Sequence, residues 1–98
     1  MKKALGLCAG RHDIPGVENY IFISVEDPTD VDGMYSHVMN VLGGGGHSLD
    51  CGDSLDLYVT GLTVALGAVV RYCATWGVSL TLYHYDRESG DYYPQKIM

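Results

Sequence analysis

Basic residues are scarce in this chain. Six lysines and arginines stand against twelve aspartates and glutamates, a net charge of −6 over 98 residues. A duplex nucleic acid is held by a basic surface that releases its counterions, so this balance argues against a duplex DNA or RNA partner. It leaves room for a small nucleotide bound by backbone amides and one or two arginines. Long apolar runs are also missing. No stretch reaches the roughly 18 residues that a membrane span needs. The N-terminal MKKALGLCAG runs into Gly10, Arg11 and His12 before a signal-peptide core is complete. No membrane partner is expected, and the chain reads as cytoplasmic.

Three cysteines, Cys8, Cys51 and Cys73, follow no metal-ligand spacing, and an odd number without a framework fits a reducing compartment. Cys8 and Cys73 lie in apolar stretches and are expected as small buried hydrophobes, not thiolate nucleophiles. His37 and His47 stand alone, so no metal site is expected, and no cofactor motif is present. There is no phosphate-loop pattern, no HExxH, no nucleophile elbow and no dinucleotide fingerprint.

What is there is organised around residues 55–76, LDLYVTGLTVALGAVVRYCATW. Residues 55–59 read as a buried strand, Thr60–Gly61 as a tight turn, and 62–76 as a helix. Leu62, Ala65, Leu66, Val69, Val70 and Cys73 form the i, i+3, i+4, i+7, i+8, i+11 stripe of a helix packed on a sheet. Thr60 is the expected N-cap, and Gly77 the left-handed residue that ends the helix. Before this unit, residues 3–8 read as a central parallel strand, 9–16 as a Gly/Pro loop and 19–25 as a second strand. Residues 26–32 start a helix capped by Asp27 or Thr29, with Thr29 and Asp32 in capping-box spacing. Val31, Met34, Tyr35, Val38, Met39 and Leu42 form its apolar set. The glycine-rich stretch 43–54 is expected to be flexible. Residues 79–86 read as a strand, 87–90 as a turn and 91–97 as the returning arm of a hairpin, with Pro94 confining that arm to a sheet edge.

The order predicts one α/β domain over 1–98. It is a small Rossmann-like fold with a mostly parallel sheet of four or five strands, two main helices and a C-terminal hairpin. In such sheets ligands bind beyond the carboxyl ends of the strands. If the first, third and fourth strands are neighbours, Gly10, Arg11, His12, Thr60, Gly61, Thr63, His84 and Arg87 sit near one mouth. Arg11 offers a guanidinium fork for phosphate and His12 a general base near neutrality. Thr60, Gly61 and Thr63 offer turn and helix-start groups for an anion, with His84 and Arg87 completing the ligand set. Each also has a structural use: a solvated loop charge, a cap or a packed strand histidine. Tyrosine is abundant, at eight residues. Tyr83, Tyr85, Tyr92 and Tyr93 cluster in the hairpin, where they suit a homodimer surface or stack a base.

Residues 57–69, LYVTGLTVALGAV, resemble the strand–turn–helix of CARF domains (CRISPR-associated Rossmann fold) and their small stand-alone relatives. The resemblance implies a dimer that holds a cyclic oligoadenylate on the turn, with Gly10, Arg11 and His12 as a second polar set. It also implies weak phosphodiesterase activity in some members. The small size also fits a phage or mobile-element protein. The competing expectation is a non-enzymatic interaction module that acts as a dimer.

Overall fold

A computed structural model describes residues 2–9, 17, 19–44 and 49–98. Five strands make one sheet: β1 (Lys2–Cys8), β2 (Tyr20–Phe22), β3 (Ser54–Tyr58), β4 (Ser79–Asp86) and β5 (Asp91–Lys96). Their order is β2-β1-β3-β4-β5. β2, β1, β3 and β4 run parallel, and β5 returns antiparallel to β4 as the edge strand. Two helices complete the fold: α1 (Val31–Val38), which continues into a π-helical segment Met39–Gly44, and α2 (Thr63–Trp76). This is the α/β architecture expected from the sequence, with its mostly parallel sheet, two helices and terminal hairpin.

Strand alternation assigns the faces. Leu5, Leu7, Leu55, Leu57, Leu80 and Leu82 are all at most 5% exposed and meet Val38, Leu42, Val69 and Cys73 from the helices. Both helices lie on this one face and touch each other, with the Arg71 guanidinium 3.9 Å above the Tyr35 ring. The mutual contact rotates α2 relative to the expected stripe. Ala68 and Tyr72 are buried with Ala65, Val69 and Cys73, while Leu62, Leu66 and Val70 are only partly covered. Tyr72 turns inward because its hydroxyl donates to the Leu49 carbonyl at 2.6 Å. In α1, Met34, Val38 and Leu42 are buried as expected, but Val31 is 55% exposed and Met39 lies at the surface.

Two local expectations are corrected. Asp30 caps α1, accepting from the Gly33 amide at 3.0 Å, whereas Asp27 spends its carboxylate on the Thr29 amide and hydroxyl. Thr60 does not cap α2; the N-cap is Leu62, with no side-chain hydrogen bond. The described end of the glycine-rich stretch makes local contacts. Leu49 is buried, its amide bonds the Leu42 carbonyl, and the Asp53 carboxylate accepts from the Asp50 amide at 2.9 Å. Residues 45–48 of that stretch lie outside the described residues. Gly77 ends α2 in the left-handed region at φ 72°, as its position predicts. Among the described residues no helix is long and apolar enough to cross a membrane.

Candidate functional site

β1 connects to β2 on one side while β3 lies on the other, so the chain direction diverges between β1 and β3. A crevice opens there at the carboxyl ends of the strands, where open α/β sheets bind ligands. It is a cleft of about 210 Å³ lined by Cys8, Ala9, Phe22, Ile23, Ser24, Val25, Gly61 and Leu62.

Beside it lies a joint between the ends of β1 and β3. The Thr60 hydroxyl donates to the Cys8 carbonyl at 2.7 Å and accepts from the Cys8 amide at 3.2 Å. One buried side chain thus satisfies both backbone groups at the point where β1 leaves the sheet. Thr60 is 7% exposed. The next residue must be glycine. Gly61 has φ 85°, and a Cβ there would sit 2.9 Å from both Cβ and Sγ of Cys8. α2 starts two residues later, its first amides uncapped by any side chain. Such amides carry the positive end of the helix dipole.

The predicted site residues separate on this frame. Gly61 lines the cleft, and Thr60 is bonded to Cys8, which also lines it. Thr63 opens α2 but lines a different, apolar groove with Val31, Tyr35, Val64 and Arg71. His84 is held on the hairpin, its Nε2 at 2.8 Å from the Gln95 side-chain oxygen and its ring tilted against Tyr93. Arg87 is exposed in the β4–β5 turn. Gly10, Arg11 and His12 lie outside the described residues; in the chain they follow Ala9, which lines the cleft.

The sequence reading missed the Ile23–Val25 rim. That run looks like strand because it is apolar and β-branched, yet β2 pairs only over Tyr20–Phe22. Ser24, the polar break in the run, was the available signal.

Two larger hollows are less suited to an anion. One, about 330 Å³, is ringed by Glu26, Asp27 and Asp30. The other, about 320 Å³, includes Asp50 beside Tyr72 and Trp76. Local hydrogen bonds favour the ionised form of two acids in these regions. Asp27 is held below the usual carboxylate range first by the Thr29 hydroxyl and then by the Thr29 amide. Asp53 is held low first by the Asp50 amide.

The remaining titratable groups have structural places. His37 donates from Nε2 to the Ile21 carbonyl at 2.7 Å and packs on Phe22, tying α1 to β2. Burial pushes the Cys73 thiol up to about 11, which keeps it protonated and unreactive. Among the described residues no group of three histidine, cysteine or acidic side chains is placed to hold a metal.

No protein-family model, no curated protein and no solved structure matches this chain. What is established is a small α/β fold with a mixed five-strand sheet.

Proposed function

We propose that this chain binds a small nucleotide in the cleft between the ends of β1 and β3. By the resemblance of residues 57–69 to CARF domains, the ligand class is a cyclic oligonucleotide. The observation that carries the reading is the Thr60–Cys8 joint. It brings the bend at Gly61 against the end of β1, at the position where sheets of this type hold phosphates. A chain of net charge −6 attracts anions only locally. The Gly61–Leu62 bend on the cleft wall, next to the uncapped start of α2, is the candidate for such a place, and Arg11, two residues after Ala9 in the chain, would add a guanidinium fork.

Size limits what enters. Ligand pockets usually measure about 300–1,000 Å³, so a cleft of about 210 Å³ takes a phosphate and its sugar, not a whole dinucleotide. A cyclic ligand would therefore rest one phosphodiester in the cleft and leave its bases at the rim beside Ile23 and Leu62. In cleavage, His12 would take the proton of a ribose 2′-hydroxyl as its oxygen bonds to phosphorus, the P–O5′ bond breaking and the 5′-oxygen leaving with a proton from water, to give a 2′,3′-cyclic phosphate and a 5′-hydroxyl.

Calorimetry against mononucleotides, linear dinucleotides and cyclic oligoadenylates tests the reading. Binding of a cyclic member, weakened about tenfold or more by Arg11→Ala, supports it. His12→Ala should keep binding and lose any hydrolysis. Absence of heat with every member of the panel ends the proposal.

A further inference from the structure

Parallel sheets are usually covered on both faces. Here four parallel strands have both helices on one side. By alternation the opposite face carries Tyr58 on β3, Tyr83 and Tyr85 on β4, and Tyr92 on β5. On β1 the equivalent position is Gly6, and the Tyr20 ring from β2 folds over it, leaving no space for a Cβ. The β2–β1 side is thus covered by its own tyrosine. On the β3–β5 side the rings stand against one another. Tyr58 and Tyr83 stack at 4.8 Å and 13°, and Tyr92 meets Tyr58 edge-on at 5.1 Å.

We propose that the β3–β4–β5 part of this face is the contact between two copies of this chain, related by a two-fold axis along β4. The charges carry the argument. Asp56, Thr81 and Lys96 occupy one row across β3, β4 and β5, with Thr81 in the middle. A two-fold along β4 brings Lys96 of each copy over Asp56 of the other, twice. It also sets Tyr83 against the same residue of the second copy. Asp56 already pairs with Lys2 at 3.3 Å, so each corner becomes a Lys–Asp–Lys group. Lys2, Asp56 and Lys96 are the charged side chains that alternation places on this face among the described strand residues, giving +1 on a chain of −6. This face therefore carries little of the chain's negative charge.

The same geometry disfavours other occupants. Tyr58 and Tyr83 each use one ring face on the other, whereas a nucleic-acid base needs free faces to stack on. Pro94 on β5 removes an amide from the free edge, which opposes edge-to-edge strand addition. Three strands about 4.8 Å apart and about six residues long give a footprint of about 300 Å² per copy. That is small, so the dimer belongs to the weak, concentration-dependent class. It leaves the Gly61 cleft outside the overlap, and this contact stands or falls independently of nucleotide binding.

Sedimentation equilibrium of the whole chain across concentration tests it, with circular dichroism to confirm folding. The expected wild-type result is a monomer–dimer equilibrium with a dissociation constant on the order of 1–100 µM. Lys96→Glu, at an exposed edge, and Tyr83→Glu should each weaken association about 30-fold or more. Val64→Glu, on the helix side, should leave it unchanged. A wild-type chain that stays monomeric, or a dimer indifferent to both sheet-face variants, overturns the proposal. So does a monomer whose tyrosine-face amides shift with a single-stranded oligonucleotide or a foreign protein.

Discussion

Leu57 and Tyr58 are neighbours in the chain and lie on opposite faces of β3. Leu57 is fully buried beneath the helices, among six strand leucines. Tyr58 is half-buried in a set of tyrosines drawn from separate strands. One face is sealed by aliphatic packing against helices. The other is built of rings that cover the backbone and keep a polar edge toward water. Desolvation, the largest cause, raises the Tyr58 and Tyr92 hydroxyls above their ordinary value, as expected for rings packed together on a sheet. The contrast shows how the two helices of the described residues serve a mostly parallel sheet. They complete one hydrophobic layer and leave the second face to amphipathic side chains.

Substitutions on the two faces should therefore differ in cost. Leu57→Ala is expected to destabilise the fold by about 2–5 kcal/mol in urea unfolding, because it opens a cavity that the sealed face cannot close. Thr60→Val should cost about 1–3 kcal/mol, since it leaves the Cys8 amide and carbonyl without the hydroxyl that serves both. Thr60→Ser should recover most of that loss. Tyr58→Ala should cost about 1–2 kcal/mol, for a half-exposed ring and its stacking partner. If it costs as much as Leu57→Ala, the two faces are energetically alike and the comparison fails.

The smallest effect concerns pH. The Cys73 thiol is neutral in the fold up to about 11, against 9.0 ordinarily. Above about pH 9 the unfolded chain releases this proton while the folded chain keeps it. Stability should therefore fall as pH rises from about 9 toward 11, and Cys73→Ala should remove that part of the fall. Thiol labelling of the native protein should reach exposed Cys51 and spare Cys73. Rapid native labelling of Cys73 would show that the sealed face opens readily.

Much of the fold was legible because local signals agreed with tertiary ones. Ser79–Asp86 and the returning arm at Asp91 follow from alternation, the 87–90 turn and Pro94 on an edge. Gly77 needed no context beyond its place after a helix. The failures share a cause: one side chain had two local uses, and only a distant neighbour chose between them. The Thr60 hydroxyl suits capping or bridging, and β1 alongside β3 makes it a bridge. Asp27, Thr29 and Asp30 all suit a helix start, and the hydrogen bonds of Asp27 to Thr29 leave Asp30 to cap α1. The tyrosine face was half visible. Tyr83, Tyr85 and Tyr92 cluster in the hairpin sequence, but Tyr58 joins them only through the β3–β4 register, and Tyr20 reaches the same face only through Gly6. For the candidate site, the Gly61 bend was readable from the strand–turn–helix pattern. The Ile23–Val25 rim was marked only by Ser24, because an edge strand that leaves its sheet early otherwise looks much the same in sequence as one that stays.

The account depends most on the cleft at the Thr60–Cys8 joint being where a nucleotide rests. Amide chemical-shift mapping of the labelled chain, titrated with cyclic oligoadenylates and mononucleotides, tests this directly. The predicted result is saturable shifts centred on Ala9, Ser24, Gly61 and Leu62, with β5 and the Asp50–Asp53 turn unchanged. Shifts confined to the tyrosine face or to the acidic hollow near Asp30, or none with any ligand, would contradict it.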